Sequence, residues 1–444
     1  MIRKILRGVT VLGTAIFAAT AAFAQNAATA AAPTVDKGDT AWMMTSTVLV
    51  LMMIVPGLAL FYGGLARTKN MLSVMTQVGA VAALTMLVWV GWGYAEAFGD
   101  GGNAFIASFS KAFLNGVTPA TTSATFTQGV AIPEYVFVCF QMTFAAITVA
   151  LVLGSVVERM KFSAVMVFAV LWLTLAYFPI AHMVWAGNGL FFTKGALDFA
   201  GGTVVHINSG VAALVACLIL GKRIGYGTEI MAPHSLTMTG IGTGLLWVGW
   251  FGFNAGSALE ANGSAALAMI NTFVGTAAAG LAWMLAERLA GHKPSALGFC
   301  SGIVAGLVAV TPAAGNSGPL GAIGLCFLTA FVCYFAVTKL KHMFGYDDAL
   351  DTFGIHGVGG MCGAMGTGVV YSAALGGPAG DSWMGMGAQL LVQGETVLTT
   401  IAWTAVATAI SIYVAKAITG LRVSSDVERE GLDLGEHGER AYNY

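Results

Sequence analysis

Charge is what this sequence has least of: 9% of its 444 residues are Asp, Glu, Lys or Arg, against roughly 25% in a soluble domain. That shortage excludes an ordinary soluble globule, and with 57% hydrophobic residues the class is membrane protein. A net charge of -1 offers no basic field to nucleic acid. No Gly-rich loop ends in Gly-Lys-Ser or Gly-Lys-Thr, the phosphate cradle of nucleotide-driven pumps, so ATP is not expected as the energy source. Closely paired cysteines are missing as well. Cys139, Cys217, Cys300, Cys326, Cys333 and Cys362 all fall in apolar runs, without the spacing of a metal knuckle or a secreted disulfide framework, and read as small core residues. Glycine, by contrast, is abundant at 59 residues. Spacings such as Gly302/Gly306 and Gly359/Gly363 let helix backbones approach closely in lipid, which points to a tightly packed helical bundle.

At the N-terminus Arg3, Lys4 and Arg7 precede an apolar run over 9–23, and Ala22-Phe23-Ala24 stands before Gln25. This is the pattern of a cleaved signal peptide, residues 1–24, followed by a periplasmic segment 25–41; the alternative is an uncleaved first helix, for which the run is short. Stretches long enough to cross about 30 Å of hydrocarbon occur near 42–65, 71–94, 134–157, 162–185, 201–221, 235–257, 264–287, 295–311, 318–339, 352–373 and 386–418. With the N-terminus outside, that count of eleven places three basic residues in outer segments (Lys37, Lys111, Lys194) and fourteen in inner ones. The asymmetry obeys the positive-inside rule and puts the C-terminus in the cytoplasm. The outer segment 96–133 is expected to form a cap without chemistry, the last stretch to be strongly tilted, and the polar tail 420–444 to be either disordered or ordered.

An odd count accommodates two inverted five-helix repeats plus one extra C-terminal helix, an arrangement that places a substrate site near the midplane. His206 lies on the fifth stretch and His356 on the tenth, five elements apart and antiparallel, so a pseudo-two-fold axis could bring them face to face. Ionisable groups inside membrane helices are costly and usually line a pathway; the competing reading is a hydrogen bond that fixes packing. Metal binding is a further alternative, but two ligands are too few and Cys362 is nearly two turns beyond His356. A second cluster is aromatic: Phe140 and Phe144 around Gln141, Trp185, and Trp250-Phe251-Gly252-Phe253 leading to Ser257. Most aromatics here are core or interfacial, yet at a common depth they could bind a small cation by about 2 kcal/mol or more once it is dehydrated. Asp198, at the outer start of the fifth stretch, caps that helix or lowers the local potential, with capping the stronger expectation.

Three motifs, Asp198-Phe-Ala-Gly-Gly-Thr203-Val-Val-His206, Gly249-Trp-Phe-Gly-Phe-Asn-Ala-Gly-Ser257 and Asp351-Thr-Phe-Gly-Ile-His356-Gly-Val-Gly-Gly, closely resemble those of the ammonium transporter (Amt/Mep/Rh) family, bacterial Amt branch. Gly57-Leu-Ala-Leu-Phe-Tyr-Gly-Gly-Leu65, Glu158-Arg159, Ala181-His-Met-Val-Trp185 and Gly420-Leu-Arg-Val extend the resemblance over the chain from Trp42 onwards. It implies an all-α membrane protein with an ammonium transporter domain at 42–419, assembled as a homotrimer in the bacterial inner membrane, without cofactor or metal. Carried over position by position, Trp185 and Ser257 resemble an outer ammonium recruitment site lined by Phe140, while Phe144 and Phe253 resemble a stacked gate below it. His206 and His356 resemble the twin histidines of the pore, and Asp198 the family's essential acid; Trp250 and Thr203 are counted with the substrate-contacting residues. The tail 420–444 implies regulation by a PII-type signalling protein. The expected function is recruitment and deprotonation of ammonium, with ammonia conducted and the proton passed separately. A receptor signalling through its tail, a membrane metalloenzyme and a passive gas or water channel are the rivals.

Overall fold

The computed structural model describes residues 34–442. The expected signal peptide and the first residues after it lie outside that range. Among the described residues ten helices are long and apolar enough to cross a membrane. In chain order α1 to α9 are Lys37–Leu65, Thr68–Phe98, Glu134–Val156, Phe162–Thr193, Gly202–Leu220, Leu236–Gly256, Gly263–Leu289, Ala296–Ala313 and Pro319–Phe344. The stretch expected at 352–373 is also helical, over Phe353–Gly357 and Val358–Val370 (α10). Its glycines and His356 dilute its hydropathy, which is why it is not one of the ten. The tenth is Met386–Thr419 (α11), 34 residues and so about 51 Å long; a helix that much longer than the hydrocarbon is wide accommodates it by tilting. Helix α1 begins at Lys37, ahead of the expected 42, because the Asp36 carboxylate accepts the Asp39 N–H at 2.9 Å and caps it there.

Several helices contain a widened π-helical turn. In α1 it covers Met53–Leu58 around Pro56, whose missing N–H breaks the regular ladder. The turns that open α5 (Gly202–Ile207) and α10 (Phe353–Gly357) hold the two histidines. Each is preceded by an acidic residue eight positions before its histidine: the Asp198 carboxylate accepts four backbone N–H groups at the start of α5, and that of Asp348 accepts the Phe353 N–H at 2.7 Å. These helices cross with their backbones touching. A methyl group on Gly210 of α5 would lie 2.1 Å from the Gly357 nitrogen of α10.

One face of the bundle carries residues 96–133, called here the cap face. This segment adds a small sheet to a protein expected to be all-α: Thr122–Ala124 (β2) and Val130–Pro133 (β3) pair antiparallel, and Thr34–Val35 (β1) adds parallel to β3. The opposite, tail face carries two short helices, Ser425–Glu430 (α12) and Leu432–His437 (α13). They are docked: Asp433 accepts the Leu72 and Ser73 N–H groups at 3.1 and 2.7 Å, and Leu432 N–H reaches the Asn70 side chain at 2.8 Å. Of the two expectations for the tail, the ordered one holds for its residues up to 442.

Candidate functional site

The cap face opens into a cavity of about 520 Å³ whose lining includes Phe140, Gln141, Phe144, Trp185, Asp198 and Ser257. Trp185 ends the segment Phe178–Trp185 of α4, and its indole N–H donates to the Asp198 carbonyl at 2.9 Å, which fixes the ring. The Ser257 hydroxyl donates to the Phe253 carbonyl at 2.8 Å. Its only proton is thereby used, and its lone pairs are left to accept from a visitor. Phe144 sits edge-on to Trp185 with ring centroids 5.7 Å apart, and Phe140 and Phe144 are 4.8 Å apart. Aromatic faces beside one free hydroxyl acceptor have the chemistry to attract a small hydrogen-bonding cation.

Asp198 lines this cavity, but its carboxylate is occupied. One oxygen accepts Gly201 and Gly202 N–H at 3.0 and 2.6 Å, the other Thr203 and Val204 N–H at 2.9 and 3.1 Å. Four otherwise orphaned donors of a helix start are thus satisfied by one side chain, and capping is what Asp198 does here. Thr203 contributes its backbone N–H to this cap and is not among the residues lining either the cavity or the slot beneath it.

The cavity is closed below by Phe144 and Phe253, stacked with centroids 4.1 Å apart and planes 12° from parallel. Beneath them lies a slot of about 10 Å³ lined by Ile147, Leu151, Trp250, Phe253, His206 and His356, among others, enough for roughly one water-sized molecule. The structure brings the two histidines together, Nδ1 to Nδ1 at 3.2 Å. His206 also stacks on Trp250, centroids 5.4 Å apart, and the Trp250 N–H is held by Thr311 at 2.9 Å. A 3.2 Å contact between two ring nitrogens requires one N–H and one bare lone pair; two imidazolium ions would set proton against proton. The His206 Nε2 is buried without a hydrogen-bond partner, an expensive state for a polar atom. A small molecule that both donates and accepts, entering the slot, would satisfy it. Beyond His356 a second cavity, about 650 Å³, opens at the tail face past Phe61, Tyr62 and Asp351.

Trp185, Ser257, Phe140 and Phe144 therefore share the upper cavity, Phe253 and Trp250 join His206 and His356 at the slot, and all lie along one path. Among the described residues no three His, Cys, Asp or Glu side chains converge in a manner that could hold a metal. The sequence reading passed over Tyr62, whose hydroxyl donates to the Leu151 carbonyl at 3.0 Å beside the path, and Gln389 and Gln393 of α11. A Tyr in an apolar helix is unremarkable in sequence; two glutamines four residues apart carry the same signal of polar cost that singled out the histidines.

The sequence profile described as Ammonium Transporter Family matches residues 41–442. An ammonium transporter of Aquifex aeolicus is 48% identical over 409 residues, covering 92% of this chain and 94% of that protein. One of Bacillus subtilis is 44% identical, covering 91% and 98%. Among solved structures, that of Saccharomyces cerevisiae Mep2 superposes with a TM-score of 0.77 at 33% identity, covering 89% of this chain and 95% of that one.

Proposed function

Because the chain belongs to the Ammonium Transporter Family, a family of multi-pass membrane transporters and not of enzymes, we propose that ammonium is recruited at the aromatic cavity, loses its proton below it, and crosses the histidine slot as ammonia while the proton travels separately. The carrying observation is the hydrogen-bonded pair His206–His356 in a water-sized apolar slot under two stacked phenylalanines. A permanent charge at the bilayer centre costs several kcal/mol or more, and an apolar slot of this size cannot hydrate it. Neutral ammonia avoids most of that cost and supplies both the donor and the acceptor that the pair can use. Potassium has no proton to shed and is excluded. The histidines handle a proton and a neutral amine, and cation binding falls to Trp185, Ser257 and the rings of Phe140 and Phe144.

The same reading takes eleven spans in two inverted five-helix halves plus α11, with the cap face outside and the tail in the cytoplasm. It is supported by the distribution of Lys and Arg and by the matched Asp–His spacing at the starts of α5 and α10. The N-terminal pattern of Arg3, Lys4, Arg7 and the apolar run to Ala24 supports a cleaved signal peptide, and the family resemblance supports a homotrimer in the bacterial inner membrane and a PII-type partner at the docked tail.

Electrical recording on proteoliposomes with an ammonium gradient tests the mechanism. The wild type should give currents that follow ammonium and ignore potassium, and His206→Ala and His356→Ala should lose either the current or the discrimination. Currents that follow potassium equally, or that are indifferent to both substitutions, would sink it.

A further inference from the structure

The loop 195–198 leads into Asp198, and therefore into both the cap of α5 and the bond that fixes Trp185. Its backbone is held by glutamines of α11. The amide of Gln393, 2% exposed, accepts the Leu197 N–H at 2.8 Å and donates to the Leu197 carbonyl at 2.9 Å and to the Ala364 carbonyl of α10 at 2.8 Å. Its remaining acceptor site takes the Gln389 amide at 3.3 Å, which also holds the Gly195 carbonyl at 3.0 Å. All four hydrogen-bonding positions of the Gln393 side chain are filled. One residue further on, the Asp198 carbonyl receives the Trp185 indole.

A fully satisfied buried amide has one low-energy arrangement, and here that arrangement joins three elements. The loop that carries Asp198 is paired to Gln393 as if to a neighbouring strand, and the same side chain ties the loop to the helix of His356. We propose that Gln393, braced by Gln389, is a positioning residue for ammonium recruitment: through Leu197 it fixes Asp198, and through Asp198 the indole of Trp185. This rests on the reading of the aromatic cavity as the entry site for ammonium.

The experiment is initial transport rate against ammonium concentration in proteoliposomes, for wild type, Gln393→Leu, Gln389→Leu, Trp185→Phe and the double variant Gln393→Leu/Trp185→Phe. Leucine keeps bulk and removes the amide; Trp185→Phe keeps a ring and removes the indole N–H. Gln393→Leu should raise the half-saturating ammonium concentration several-fold while the maximal rate falls less. In the Trp185→Phe background the same substitution should do little, because the bond through which it acts is already gone. An unchanged half-saturation, a fall in maximal rate alone, or effects that simply multiply would overturn the proposal. Should Gln393→Leu fail to fold, Gln389→Leu decides the matter: it leaves the direct bonds to Leu197 in place and should give a smaller shift of the same kind, and no shift would count against the proposal. If the wild type itself shows no saturable ammonium transport, the reading of the cavity fails and not the clamp.

Discussion

Asp198 spends its whole carboxylate on the four amides of its own helix start, so the geometry gives it a capping task that needs no contact to substrate. Asp198→Asn keeps the size but turns half of the side chain into a donor facing N–H groups, and it removes a charge from a helix N-terminus. Hydrogen bonds to a charged group contribute about 1.5–3 kcal/mol each when lost. The substitution should therefore lower the thermal unfolding midpoint in detergent and abolish transport together, because the turn that frays is the one holding His206. An Asn variant as stable as wild type yet inactive would instead assign the carboxylate a direct chemical task. At this scale the sequence is readable where a residue is out of place in its surroundings: His206 and His356 stand out among apolar neighbours. It is silent where the partner is backbone, since nothing in a string of letters shows that Leu197 needs Gln393 or that Ser257 turns its proton toward Phe253.

Elements were legible by length and apolarity, since each expected stretch is helical, and the helix of His356 is the most glycine-rich of them for a reason that only the crossing reveals. The pairing of β1 with β3 was not legible, because it joins segments far apart in sequence, and the π-helical turns leave no mark in hydropathy beyond Pro56 in α1. At the crossing of α5 and α10, a methyl on Gly210 would meet the Gly357 backbone at 2.1 and 2.3 Å. Backbone cannot swing aside as a side chain can, so Gly210→Ala should force the helices apart at a cost of about 1–3 kcal/mol and open the 3.2 Å histidine contact. Loss of ammonium transport per folded molecule is the expected result. Gly240→Ala on α6, where a methyl meets nothing within 4 Å, serves as the comparison and should be silent. Gly210→Ala transporting like wild type would mean that the histidine spacing is not what matters.

Across the whole molecule, one ion network closes the tail face. Glu158, held at φ +70°, accepts Arg67 through its backbone and guanidinium and Arg223 at 3.1 Å. Arg223 also grips Asp347 at 2.8 Å, while Arg422 pairs with Glu428, which in turn accepts the Ile224 N–H at 2.7 Å. Four connecting loops and the tail are thereby made one unit, at the end of the path where the second cavity opens. Burial by itself would raise the carboxyl groups of Glu158 and Asp347, but Arg223, with Arg67 beside Glu158, more than offsets it and holds both below the ordinary carboxylate range. Groups lowered in this way stabilise the fold at pH values above the ordinary range, about 4, and the contribution is lost as pH falls through their depressed values. Arg223→Met should cost about 3–5 kcal/mol near neutral pH, because it strands the buried Asp347 carboxylate without its ion-pair partner and leaves Glu158 with Arg67 alone. Both carboxylates would then titrate higher than in the wild type, so the variant loses less stability on acidification than the wild type does. Thermal unfolding of both proteins at pH 7 and pH 4 should show the gap between their midpoints narrowing as the pH falls; a gap independent of pH would mean that the network's contribution is packing and not charge.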